Sequence, residues 1–160
     1  MKKPILIATL TMALMTLGLG GYYFVTQQAD PFLLKPSNKK IVSLGRTVYA
    51  DNCASCHGEK LEGEPNWQTP NEEGYLPAPP HDETGHTWHH PDDVLFGLTK
   101  FGLVKFAKLK NHKSNMPAYE DILSDEEIVA VLSFIKSAWS EEIRGVHDQR
   151  NALAAERSKP

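Results

Sequence analysis

The apolar positions of this 160-residue chain change period several times, and each change marks a different element. Lys2 and Lys3 precede an uncharged run from Ile5 to Val25 that ends in Gly20, Gly21, Tyr22, Tyr23 and Phe24. A run of about 20 apolar residues is long enough to cross a bilayer as a helix. Basic residues on the inner flank and aromatic residues at the outer interface place the rest of the chain outside the cytoplasm. The rival is a cleaved signal peptide with Gly18-Leu19-Gly20 as its small-x-small site, but the run exceeds most signal cores and lacks Ala-x-Ala. Residues 1–28 are read as a transmembrane anchor, with the signal peptide as alternative. Residues 29–37, with Pro31 and Pro36, read as a linker.

Helical spacing begins at residue 38. Ser37 or Asn38 can cap a helix whose buried face is Ile41, Leu44, Gly45, Val48 and Tyr49, and which runs directly into Cys53. From Gly58 to Pro91 the pattern is lost. Pro65, Pro70, Pro77, Pro79 and Pro80 predict loops that wrap something in place of regular elements. Pro91 then opens a short helix with Asp92 and Asp93 in its first turn, an apolar side of Val94, Leu95, Leu98 and Phe101, and Gly102 as its stop. Ser124 and Glu127 form a capping box, and Ile128, Val131, Leu132, Ile135 and Trp139 share one face of the last helix, which Gly145 should end. The polar residues 146–160 are expected to be a frayed tail. The fold class is therefore all-α: anchor, linker, one domain over 38–145, and tail.

Candidate chemistry is concentrated at Cys53-Ala54-Ser55-Cys56-His57. Two thiols three positions apart can add to the two vinyl groups of a haem, and the histidine that follows supplies an axial nitrogen to the iron. A thioredoxin-like dithiol shares the Cys-x-x-Cys spacing, but it belongs after a strand in an α/β pattern, and no such pattern is found here. These two cysteines are the only ones, so a Cys₄ zinc site is excluded and a Cys₂His₂ site survives only on paper. Haem attachment also fits an exported chain.

An iron held by His57 needs a second ligand. Met116, in Asn115-Met116-Pro117, is the candidate, because Met1, Met12 and Met15 all lie in the anchor, residues 1–28. Its loop gives a large apolar side chain nothing to bury against, although a lone methionine is usually core filler. His81, His86, His89, His90, His112 and His147 are the rival ligands. The group His81 to His90 has the short spacing of a surface copper or zinc site, against the simpler reading that these rings bond haem propionates or backbone. Trp67, Trp88 and Tyr75 are read as packing on the haem or donating to a propionate.

Charge adds less. The formal net charge is −3, and all 20 acids but only 15 of the 17 Lys and Arg lie after residue 29. That argues against nucleic acid as a partner. Lys100, Lys105, Lys108, Lys110 and Lys113 form a stretch without an acid, either a solvated face or a docking patch for an acidic redox partner.

Taken together, residues 38–143 resemble a monohaem class I cytochrome c of the bacterial periplasm. The matching features are the helix with Gly45 and Tyr49, the Cys-Ala-Ser-Cys-His motif, Asn-Met-Pro at 115–117 and the helix beginning Leu123-Ser124-Asp125-Glu126. The resemblance implies a cytochrome c fold, with helices around one covalent haem c and the first and last crossing at Gly45, Tyr49 and Phe134. It also implies a proline carbonyl orienting the His57 ring, with Pro79 chosen over Pro77 and Pro80. The loop Gly85 to His90 departs from the shortest members. The expected function is one-electron transfer at the periplasmic face of the inner membrane, by a protein that is no enzyme itself and can serve in a larger oxidoreductase. Two other classes stand beside it: a haem enzyme or gas sensor with a displaceable distal ligand, and a periplasmic copper-binding protein using His81 to His90.

Overall fold

A computed structural model of the protein describes residues 33–110 and 112–159. The expected anchor over 1–28 and residues 29–32 of the linker lie outside the described residues. No helix among the described residues is long and apolar enough to cross a membrane. The described chain is helical, with α1 over Lys39–Asn52, α2 over Ala54–His57, α3 over Asp92–Phe101, α4 over Leu103–Phe106, α5 over Asp125–Ser137 and α6 over Glu141–Arg157. One 3₁₀ turn, Thr87–His89, interrupts the long loop between α2 and α3, and no strand occurs among the described residues.

Local chemistry accounts for the helix starts. The Asn38 side chain accepts from the amides of Lys40 and Ile41, which opens α1. Ser124 and Glu127 form the full reciprocal capping box of α5. Caps of this kind contribute about 1 kcal/mol each by satisfying amides that have no helical partner.

α1 packs across α5, and the contact is close at one point. A Cβ on Gly45 would lie 1.9 Å from the Ala130 carbonyl oxygen and 2.9 Å from Phe134 Cβ. One turn later the Tyr49 ring meets the Phe134 ring at 5.4 Å between centroids. The expected crossing at Gly45, Tyr49 and Phe134 is therefore present. Leu44 is a correction: expected in the buried face, it is 44 % exposed. Successive helical residues are about 100° apart, and the approach at Gly45 is so tight that the seam is narrow, leaving Leu44 beside it. α5 is buried almost all round, from Ile128 to Lys136: α1 and α3 pack against it, and α6 reaches it through Asp148 on Lys136.

The C-terminus needs the larger correction. Residues 146–160 were expected to fray after a stop at Gly145, but the chain breaks at Trp139 and restarts. The Ser140 side chain caps α6, which runs through Gly145 to Arg157. Periodicity missed α6 because its inward face is polar. His147, fully buried, donates from Nε2 to the His90 carbonyl at 2.9 Å. Asn151 and Asp92 exchange two bonds: the Asp92 amide donates to Asn151 Oδ1 at 2.7 Å, and Asn151 Nδ2 donates to Asp92 Oδ1 at 3.0 Å. Asp148 takes the ammonium of Lys136, itself 1 % exposed, at 2.6 Å. Asp92 also accepts the amide of Leu34 at 2.9 Å, tucking the entering chain against α3. The first-turn acid that dipole reasoning placed at the helix start is thus the centre of a buried polar cluster.

Two expected outcomes follow from this packing. Gly45→Val forces a side chain into backbone, so chemical denaturation should show a loss of at least about 2 kcal/mol, at the strong end of overpacking; an unchanged midpoint would contradict the close crossing. Burial, and then the Lys136 ammonium, hold the His147 imidazole below its ordinary pKa, while Asp92 and Asp148 act in the other direction. A depressed pKa stabilises the fold above the unfolded value of about 6.5, and that contribution is lost as pH falls through the folded value. Stability should therefore decline as pH drops below about 6.5, with a shallower slope in His147→Gln. A flat profile from neutral to mildly acid pH would refute this.

Candidate functional site

α1 carries the site at its C-terminal end. Cys53 leaves the helix with its amide on the Tyr49 carbonyl at 2.9 Å, and the next turn closes with the Cys56 and His57 amides on the Cys53 carbonyl at 3.1 and 2.9 Å. That single turn brings Cys53, Cys56 and His57 together, since residues three and four apart share a helical face. Both cysteines are free. Burial, with the neighbouring Cys56, pushes the Cys53 thiol up to about 11. A reactive dithiol needs the opposite shift, so Cys53 is a neutral thiol unsuited to disulfide exchange.

His57 is buried, and its Nδ1 donates to the Pro79 carbonyl at 2.8 Å. Among the three prolines considered, Pro79 is therefore the one that reaches the ring. The contact is delivered by the loop on either side. A Cβ on Gly63 would stand 2.5 Å from the Pro80 nitrogen, so only glycine lets the two strands of loop approach. Glu64 closes the pairing in both directions, its amide to the Ala78 carbonyl at 2.8 Å and its carboxylate to the Ala78 amide at 2.6 Å. The His81 amide adds a bond to the Leu61 carbonyl at 2.7 Å. Burial depresses the His57 pKa, offset in part by the Pro79 bond and by Glu64. The ring is neutral, with its Nδ1 proton committed and Nε2 left as the lone-pair nitrogen, which is the state a metal ligand needs.

Met116 lies on a separate segment and is 36 % exposed. Its amide donates to Ser114 Oγ at 3.2 Å. Three residues on, Tyr119 ties that segment to the motif. Its hydroxyl donates to the Asn52 carbonyl at 2.8 Å and touches the Cys53 thiol, while its amide donates to the Thr99 carbonyl at 3.1 Å. Burial and the two thiols push the Tyr119 hydroxyl up to about 12, so it stays a donor. Tyr119 was not singled out from sequence; its place three residues after Asn-Met-Pro is the signal that could have found it.

The histidines separate. His81 stacks face to face on His57, with 4.0 Å between centroids and 21° between planes. It therefore sits beside that ring and is corrected as a rival for the opposite side of an iron. His147 is committed to α3 and α6, as described above. His86 stacks on Trp67 and His89 meets Trp88 edge-on. Trp88 itself donates to the Glu83 carbonyl at 3.3 Å. Among the described residues no group of three or more His, Cys, Asp or Glu is arranged to hold a metal ion. The lysine stretch is also less one-signed in space than along the chain, because Lys100 pairs with Asp125 at 2.6 Å and Lys105 with Glu120 at 2.8 Å.

The residues present fit a covalent haem. They offer two adjacent free thiols and a neutral, oriented imidazole. They also offer apolar surface that the core does not cover: six of the nine large apolar side chains left exposed among the described residues lie between Leu76 and Ile122.

Comparison with known proteins agrees. The family model for cytochrome c matches residues 42–139, and the chain belongs to the cytochrome c family. It is also similar to the Cbb3-type cytochrome c oxidase subunit FixP of Bradyrhizobium diazoefficiens, at 28 % identity over 121 residues. That alignment covers 74 % of this chain and 36 % of the relative, so the chain spans about a third of that protein's length. No solved structure matches. As a family member the chain is a haem c protein of the electron-transfer class. α6 lies entirely beyond the matched segment.

Tyr119→Phe removes the one hydroxyl that joins the Met116 segment to the end of α1. The variant should lose about 1 kcal/mol, the net worth of one hydrogen bond, as a lower denaturation midpoint. Equal stability would mean that the tie carries nothing.

Proposed function

We propose that this chain is a one-electron carrier built on one covalent haem c, attached through Cys53 and Cys56, with His57 and Met116 as the two axial ligands. The observation that carries this reading is His57: buried, neutral, and turned by the Pro79 carbonyl so that Nε2 is free. The bound group supplies an iron that cycles between two oxidation states one electron apart. Every other task falls to the chain. Cys53 and Cys56 fix the porphyrin by two thioether bonds, so it cannot leave in either state. Pro79 keeps the His57 tautomer constant, and the hydrogen bond that Nδ1 donates to its carbonyl makes the ligand more basic. Met116 offers a soft thioether, which favours the reduced form and raises the potential. Pro117 limits the loop that presents it, and Tyr119 anchors that loop to the attachment turn. A ligand pair kept in both oxidation states leaves little to rearrange, which suits a carrier and leaves no open position for substrate.

The compartment in this reading is the periplasmic face of the inner membrane, supported by the apolar run Ile5 to Val25 and its basic flank. Similarity to an oxidase subunit supports a redox partner that is itself a membrane oxidoreductase, with this chain as a carrier or a subunit. Lys108, Lys110 and Lys113 would meet an acidic surface there, since opposed charges speed encounter.

The deciding experiment is the absorption spectrum of the ferric protein, followed into the far red, where an iron–thioether bond gives a weak band. The band should be present in wild type and absent in Met116→Ala, with covalent haem retained in both. A wild type that lacks the band and binds CO rapidly when reduced would replace the carrier with a sensor or enzyme. A low-spin spectrum without the band would point to His112, in the same segment, as ligand.

A further inference from the structure

His81 is held on all sides yet has no part in attachment or ligation. Its ring lies nearly parallel to the His57 ring, 4.0 Å away and 21° off. Its Nδ1 is 2.8 Å from the Thr87 hydroxyl, and Thr87 is buried in the 3₁₀ turn. Its amide donates to the Leu61 carbonyl at 2.7 Å, and its carbonyl accepts Trp139 Nε1 at 2.8 Å, from the junction between α5 and α6. Backbone, ring plane and position are all fixed.

The need for such a ring follows from the geometry of the ligand. The hydrogen bond from Nδ1 to Pro79 fixes the tautomer and, with the covalent link through Cβ, the mean orientation of the ring, but a single bond is a soft restraint on its plane. A flat neighbour in contact with its face stiffens that restraint. Metal ligands depend on partners of this kind to set ring orientation, and a site must be held within about 10–20° of its working geometry by locked side chains.

We infer that His81 is a positioning residue: stacked on His57 and locked by Thr87, it sets the plane of the axial imidazole while Pro79 sets its tautomer. This rests on His57 being the axial ligand. The chain of contact continues outward, because Trp139 closes onto the His81 carbonyl where α5 gives way to α6. Trp139, the last residue of the family segment, thereby braces the proximal side of the site from the point where α5 ends.

The plane of an axial imidazole is read directly in the ferric holoprotein, from the order and spread of the haem methyl resonances and the rhombicity of the electron spin resonance signal. Three variants of the full chain separate the possibilities. His81→Leu keeps bulk and loses the flat ring. His81→Phe keeps a flat ring and loses the bond to Thr87. Thr87→Val keeps the ring and frees it, and disturbs folding least. His81→Leu should change the methyl order and the rhombicity, with haem attached and the far-red band intact. Thr87→Val should change both in the same direction by less, and His81→Phe should return most of the wild-type pattern.

Unchanged spectra in His81→Leu and Thr87→Val, in a wild type that shows imidazole coupled to iron, would overturn the inference alone. So would a Phe variant no closer to wild type than the Leu variant, since stacking would then not be the cause. A wild type without imidazole–iron coupling would overturn the ligand role of His57, and the inference with it.

Discussion

The crossing of α1 over α5 at Gly45 is the constraint on which the site depends. A side chain there would enter the Ala130 carbonyl, so the two helices meet backbone to backbone and neither can slide. Because α1 ends at Asn52 and the thiols follow at once, the position of that crossing sets the position of Cys53 and Cys56. Tyr49 links the two. Its ring packs on Phe134 in the seam, and its hydroxyl donates to the Gly58 carbonyl at 2.8 Å, just past the attachment turn. Helix packing and site geometry share one side chain.

A second constraint, made of polar groups, holds the far end. Asp92, Lys136, His147, Asp148 and Asn151 join α3, α5 and α6 with bonds that are directional and buried. Burying charge is costly unless every partner is placed. A cluster of this kind adds little stability over an apolar one, but it tolerates only one arrangement. That arrangement fixes His90 and the start of α3, and with Trp139 it fixes His81. The loop from Gly58 to Pro91 contains almost no regular structure, yet its ends and its middle are pinned to helices.

Legibility in the sequence followed the kind of interaction. The capped starts of α1 and α5, the loop between α2 and α3 and the stop at Gly102 rest on local chemistry, and all were readable. That Cys53, Cys56 and His57 come together was readable because their spacing is that of one helical turn. Pro79 could be chosen only through a family resemblance, since three prolines lie within four residues and the choice depends on how Gly63 lets the loops approach. α6 was missed because hydrophobic periodicity detects apolar faces, and its buried positions are His147 and Asn151. His81 was read as one of a cluster and as a rival ligand, because face-to-face stacking across 24 residues leaves no pattern along the chain.

The two sides of the site are built on unequal terms. On the His57 side the ring is buried and touched by Pro79 and His81, and each of these is tied to further backbone. On the Met116 side the thioether is partly exposed, and the nearest firm ties lie three residues downstream at Tyr119. On the proposed reading, the rigid side would set ligand basicity and plane, properties that must not vary from one electron to the next. Electron exchange needs close approach of a partner, and the partly exposed Met116 leaves its side the more open of the two. Two of the five lysines between Lys100 and Lys113 are already answered by Asp125 and Glu120. Any steering field there comes from the balance of these pairs with Lys108, Lys110 and Lys113, and would be screened beyond about 8 Å at physiological salt. Charge of that reach can guide a partner only over the last few ångströms, so orientation at the site must come from the contact between the two surfaces.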